Sequence, residues 1–145
     1  TIAHTQYTKL AYSLERDLTR VTVLGISPLI MVVNAGIPAK NVAEFIAEAK
    51  KRKLAYASGG VGVISHLAME MFKVATKIEA THVPFKGVGP AVPALLSGEV
   101  HVIINAIPEL LPHTKGGKLR VIGSPRKQVG LAGFGLEVVE YVDLA

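Results

Sequence analysis

Leu54-Ala-Tyr-Ala57-Ser-Gly-Gly-Val-Gly-Val-Ile64-Ser-His66 is the stretch whose reading decides the fold. Leu54 to Ala57 reads as a short strand. Ser58 to Ile64 is a glycine-rich loop, and Ser65 is expected to cap a helix in which Leu67, Ala68, Met71, Phe72 and Ala75 face the core. The same order returns downstream. Thr81-His-Val-Pro84 is a strand, Phe85-Lys-Gly-Val-Gly89 a loop and Pro90 to Ser97 a helix. Pro90 is tolerated in a first helical turn, and Gly98 is placed to end the helix. Val100 to Ile104 is a third strand, and Asn105-Ala-Ile-Pro108 leads into a short helix reaching about Lys115. Gly116-Gly117 stops it before a last clear strand, Leu119 to Ile122.

Upstream, Val21 to Leu24 and Leu29 to Val33 are rich in β-branched residues and read as strands. Gly36-Ile-Pro38 turns the chain. A helix starts at Asn41, with Glu44 reaching back as in a capping box and Val42, Phe45, Ile46 and Ala49 on one apolar face. Strands alternating with helices predict an α/β domain, a mostly parallel sheet flanked by helices. Beyond Ser124 the pattern weakens, with one more strand expected near Val138-Val139 and Tyr141-Val142. The organisation expected is an N-terminal arm (1–20), an α/β ligand-binding lobe (21–123) and a C-terminal arm (124–145), the arms apolar enough to pair with each other or with a second copy.

The chain has 145 residues and a formal net charge of +5. That length suits one domain that buries about two-thirds of its unfolded surface. Half the residues are apolar, which excludes disorder. Cysteine is absent, so disulfides, thiolate nucleophiles and Cys-based metal sites are excluded. Lys50-Lys51-Arg52-Lys53 is the one cationic run; it reads as a solvated helix end rather than a nucleic-acid patch. Aromatics are few and Trp is absent, so no stacking platform for nucleic acid is present. The apolar stretches, such as Pro28 to Val33, are far short of the ~20 residues of a membrane span. No signal peptide opens the sequence, so either it was removed or the chain is a piece of something longer.

Ligands of open α/β sheets bind beyond the C-terminal ends of the strands. Three connections reach that edge: Ser58–Ser65, Phe85–Gly89 and Asn105–Pro108. Glycines let a ligand approach the backbone, and helix N-termini offer unpaired N–H groups to an anion. The bland reading is that these glycines only make tight turns. Gly60-Val-Gly62-Val-Ile-Ser65 nearly matches a dinucleotide fingerprint, but its third glycine is Ser65, and Thr81 and His82 stand where an acidic residue is needed. His66 and Glu70 have a spacing that can hold a metal, yet no third ligand is evident, so no metal and no cofactor are expected. Ser65-His66 lacks an orienting Asp, which argues against a hydrolase. His82 and His101 are expected on surface faces and His113 near a helix end. Lys86 could pair with an anion or stay in solvent.

Taken in order, Val32-Val-Asn34, Ile37-Pro-Ala-Lys-Asn-Val-Ala-Glu44, Ala57-Ser-Gly-Gly-Val-Gly62 with His66-Leu-Ala68, Val83-Pro-Phe-Lys-Gly87 with Pro90-Ala91, and Leu111-Pro-His113 with Lys115-Gly-Gly-Lys-Leu-Arg120 carry a resemblance. From about Tyr12 to Ser124 the chain resembles the Bug family of extracytoplasmic solute receptors, the substrate-binding proteins of tripartite tricarboxylate transporters. Gly133 to Val139 faintly resembles a later segment of that family. The resemblance implies a periplasmic-binding-protein-like (type II) lobe, mainly the second of a two-lobed Venus flytrap. It further implies a periplasmic location, a small carboxylate bound largely through backbone N–H groups and water, no enzymatic chemistry, and the membrane components of a tripartite transporter as partners. The residues expected to bind ligand are Ser58, Gly59, Gly60, Gly62, Ser65, His66, Phe85, Lys86, Gly87 and Asn105. Departures from the family pattern are Gly59, Val61, Val63 and Ile64 where Ser and Asn are usual, Phe85 in place of Tyr, and Asn105 in place of Asp. The alternative is an α/β scaffold without ligand binding, oligomeric, for instance a homodimer through the surface a first lobe would cover.

Overall fold

In the computed structural model, residues 8–13, 15–19, 21–22, 27–114 and 116–122 are described. Within them lie β1 (Leu29–Asn34), α1 (Val42–Lys51), β2 (Leu54–Ser58), α2 (Ile64–Thr76), β3 (Ala80–Pro84), α3 (Val88–Ser97), β4 (Val102–Ala106), α4 (Ile107–Thr114) and β5 (Leu119–Ile122). The sheet order is β3-β2-β4-β1-β5. β2 runs parallel to β3 and β4, whereas β1 is antiparallel to β4 and β5. Four strands therefore share one direction and only β1 opposes it.

Side chains alternate across a strand, so a strand buried on both faces reads as a continuous apolar run. β1 is such a strand. Met31 and Val33 join a core with Phe45 of α1, Met69 and Phe72 of α2 and Leu54 and Tyr56 of β2. Ile30 and Val32 point the other way, into a core with Ala91, Val92 and Leu95 of α3 and Leu110 of α4. The result is three layers, helices on both faces of the sheet. Phe45 and Phe72, 6.2 Å between ring centroids, join α1 to α2. Each such fully buried side chain is worth ~1.5–3 kcal/mol.

α1 starts where its cap predicts. Asn41 Oδ1 accepts from Glu44 N at 2.8 Å. The return bond is shifted by one residue, since Glu44 Oε2 accepts from Lys40 N at 2.7 Å. α2 departs from expectation in two ways. It begins at Ile64 after Val63, with no side-chain cap, because Ser65 is buried and turned back to the preceding loop. Its inward face carries Ser65, Met69 and Phe72, whereas Met71 is 73% exposed and Ala75 is also exposed. β4 starts two residues later than expected. Val100 N donates to Ala94 O, which holds the chain in the turn out of α3. β4 then runs to Ala106 and α4 follows at once, so the expected loop Asn105–Pro108 is strand end and helix start. Val21 and Thr22 are not strand, and Val21 is 93% exposed. Val23 and Leu24, like the strand expected near Val138–Val142 and the C-terminal arm, lie outside the described residues. No helix among the described residues is long and apolar enough to cross a membrane.

Candidate functional site

β2 and β3 end side by side, Ser58 level with Pro84. Their pairing continues into the loops. Phe85 N donates to Ser58 O at 2.9 Å, and Gly87 N to Gly59 O at 3.0 Å. The two glycine-rich connections are thus one hydrogen-bonded unit, and they deliver the N-termini of α2 and α3 to the same edge. Gly87 has φ +99°, a backbone state that L side chains rarely adopt. Gly89, in the first turn of α3, is different. Its φ needs no glycine, and a Cβ there would meet nothing within 4 Å. Glycine is a poor helix former, about 1 kcal/mol worse than Ala, so neither conformation nor packing accounts for it.

The β2–α2 loop is braced from inside. Ser58 Oγ accepts from Gly60 N at 3.2 Å, donates to Gly60 O at 2.9 Å and lies 2.6 Å from His82 Nε2. With its one O–H directed at Gly60 O, the hydroxyl is left to accept a hydrogen bond from the tautomer of His82 that carries its hydrogen on Nε2. Ser65 Oγ accepts from Gly59 N at 3.0 Å, and His66 Nδ1 accepts from Gly62 N at 3.1 Å. Ser58 and Ser65 are buried, so their hydroxyls hold the loop.

Beneath the loop lies a stack of three rings. His66 and His82 are 4.1 Å apart at 17°, and His82 and Tyr56 4.8 Å apart at 14°. The parallel register sets Tyr56 opposite His82, and the first turn of α2 lays His66 over them. Tyr56 Oη donates to Glu70, which also accepts from Lys73 Nζ at 2.7 Å. Burial, then the Glu70 carboxylate, raises the Tyr56 hydroxyl well above the usual tyrosine range. Burial pushes the Glu70 carboxyl up, but the hydrogen bonds from Lys73 and Tyr56 outweigh it and hold the group below its ordinary value. Burial, and then the neighbouring His66, lowers His82. Tyr56, His82 and Lys73 are the members of this network that sequence reading missed. His82, expected on a surface face, is half-buried instead. The only signal for it was the spacing of His66, Glu70 and Lys73 along one side of a helix.

The remaining predicted residues divide. Phe85 is half-buried and packs on the α3/α4 core, and Lys86 is exposed. Asn105 is buried at the end of β4 and donates to Glu109 Oε2 at 2.6 Å on α4. His101 is also half-buried: its Nδ1 accepts from Ala55 N at 3.0 Å, filling a place in the ladder of β2. Among the described residues, no group of three or more His, Asp or Glu side chains is placed to hold a metal ion.

An edge of this kind, two glycine loops and two helix N-termini with braced backbone, can hold an anion. The sequence profile of the tripartite tricarboxylate transporter family receptor matches residues 1–132. The chain belongs to that receptor family. It is 34% identical to the protein BugT of Bordetella pertussis over 115 residues, which cover 78% of this chain and 35% of BugT. The structure is similar to that of Rpa4515 of R. palustris with adipate, with a TM-score of 0.71 and 33% identity over 81% of this chain and 40% of that one. It is also similar to MatC of Rhodopseudomonas palustris with bound malate, with a TM-score of 0.77 and 26% identity over 94% of this chain and 47% of that one. The chain therefore has the α/β fold of periplasmic binding proteins and spans between about a third and a half of the length of these relatives. The family is one of transport receptors.

Proposed function

We propose that this receptor chain holds a small carboxylate at the joined ends of β2 and β3, as the ligand-binding lobe of a periplasmic solute receptor that serves a tripartite transporter. Gly89 carries the reading: bare backbone at a helix N-terminus, facing open space, with no local reason to be glycine. Family membership and relatives with adipate or malate support a carboxylate as the occupant. The groups offered are the backbone N–H groups of Val88 and Gly89 at the start of α3, with the Lys86 amine as counter-charge and the braced Gly60–Gly62 backbone as the facing wall. Ser58, Ser65 and His66 shape the loop, Phe85 packs beneath it, and Gly59 and Gly87 make the crossing.

Binding without turnover is favoured by the same geometry. A serine nucleophile needs an exposed hydroxyl and a histidine that accepts its proton. Ser58 is buried and His82 faces it as donor. The rim of the site is apolar, with Val61 66% and Ile64 49% exposed. An apolar rim fits a cleft closed by another lobe; a second copy of the chain is the alternative cover, which light scattering at rising concentration detects.

Calorimetry with malate and adipate tests the proposal. The lobe alone leaves the ligand partly wet, whereas an enclosing pocket buries ~70–90% of it. Affinity near the millimolar range, about −4 kcal/mol, is expected. Gly89→Leu blocks the approach and abolishes that heat while leaving the melting temperature in place. Undiminished binding in Gly89→Leu overturns the assignment.

A further inference from the structure

Gly62 has φ +76°, and its N–H donates to Nδ1 of His66. A ring nitrogen accepts only while it carries no proton, so this bond requires neutral His66 with its hydrogen on Nε2. Two residues back, Gly60 N donates to Ser58 Oγ, which is held by His82. The two imidazoles are stacked on each other. Two of the three side-chain anchors of the glycine loop therefore hang on one histidine pair; the third is Ser65 Oγ on Gly59 N. We propose that His66 is a positioning residue, whose neutral imidazole sets the conformation of the loop, and that its protonation releases Gly62. The release stands on the loop geometry alone; only its consequence for carboxylate binding rests on the function proposed above.

The surroundings decide what acid does. On α2 itself, Glu70 and Lys73 are near. From β2 comes Tyr56, and from β3 His82. Glu70 favours a cation on His66, but its carboxylate is already engaged by Lys73 and Tyr56. The positive end of α2 opposes a cation in the first turn. So does His82, since two imidazoliums 4.1 Å apart would repel. When the proton lands on His66 Nδ1, two N–H groups face each other. Either the ring turns out of the stack or Gly62 turns away, and both free the loop.

Two substitutions separate acceptor, ring and charge. His66→Asn keeps an acceptor near the Nδ1 position and does not titrate. His66→Phe keeps the stacked ring and removes the acceptor. The measurement is the hydrogen-exchange protection factor of the Gly62 amide by NMR, with the imidazole nitrogen shifts of His66 followed in parallel. In the unsubstituted chain, protection falls by about tenfold in step with His66 protonation as the solution is acidified, the equilibrium factor of one net hydrogen bond. In His66→Asn it stays high across the range, and in His66→Phe it is low throughout. Protection independent of His66 protonation in the unsubstituted chain overturns the proposal, and so does full protection in His66→Phe. If His66→Phe does not fold, the other two proteins still decide. Should no carboxylate bind while Gly62 tracks His66, the latch stands and the receptor reading falls; binding with an indifferent Gly62 gives the reverse.

Discussion

Asn34 ends β1 and ties three pieces of chain together. Its Nδ2 donates to Leu95 O at 2.7 Å, near the C-terminus of α3, and its Oδ1 accepts from Gly36 N at 2.8 Å in its own turn. Asn34→Ala strips partners from both, and an expected loss of about 1–3 kcal/mol is measurable by urea unfolding; a change under about 0.5 kcal/mol would show the ties idle. His82 gives a pH dependence. Its folded-state pKa lies below the ordinary 6.5, through burial first and His66 second. The unfolded chain therefore takes up the proton more readily. Stability is complete above pH 6.5 and is lost as pH falls toward the lowered native value. The melting temperature should drop on acidification through that window, and His82→Gln should flatten the drop; a slope unchanged in the variant contradicts the assignment. Residue roles were legible where both partners are local, as in the cap of Asn41 by Glu44. Those of Asn34 and His82 were not, because their partners lie 61 and 24 residues away in sequence.

Elements were legible as types and in order, less so in facing and ends. α2 shows why. Apolar residues occur almost all round it, so the period alone does not select an inward face. Its polar stripe, His66, Glu70 and Lys73, leans on the Tyr56–His82 pair, and this turns Met71 and Val74 outward, 73% and 79% exposed. Phe72→Ala should cost ~3–5 kcal/mol. Met71→Ser and Val74→Ser should each stay within about 0.5 kcal/mol. Comparable losses at Phe72 and Met71, by thermal or urea unfolding, would refute this facing. The late start of β4 has a similar cause: apolar Val100 looks like strand, but its N–H is committed to Ala94 O.

At the scale of the whole molecule, alternation of strand and helix was enough to predict an α/β lobe. The sheet order β3-β2-β4-β1-β5 and the reversed β1 depend on non-local pairing that no local pattern encodes. The proposed site rests on topology, since strand ends and glycine loops name the edge before any side chain is placed. Of the side chains read as candidates, Ser58, Ser65 and His66 hydrogen-bond within the loop, and Asn105 pairs with Glu109. At the opposite ends of β2 and β3 lies a mostly cationic groove, lined by Lys50, Lys51, Arg52, Lys53 and Lys77 together with Glu79. The two edges make the central claim sharply testable. Malate titrated into the isotopically labelled chain and followed by amide NMR should shift Gly60, Gly62 and Lys86 to Gly89, and should leave the Lys50 to Lys53 amides in place. Shifts confined to the Lys50–Lys53 edge, or none at the glycine loops at saturating malate, would contradict it.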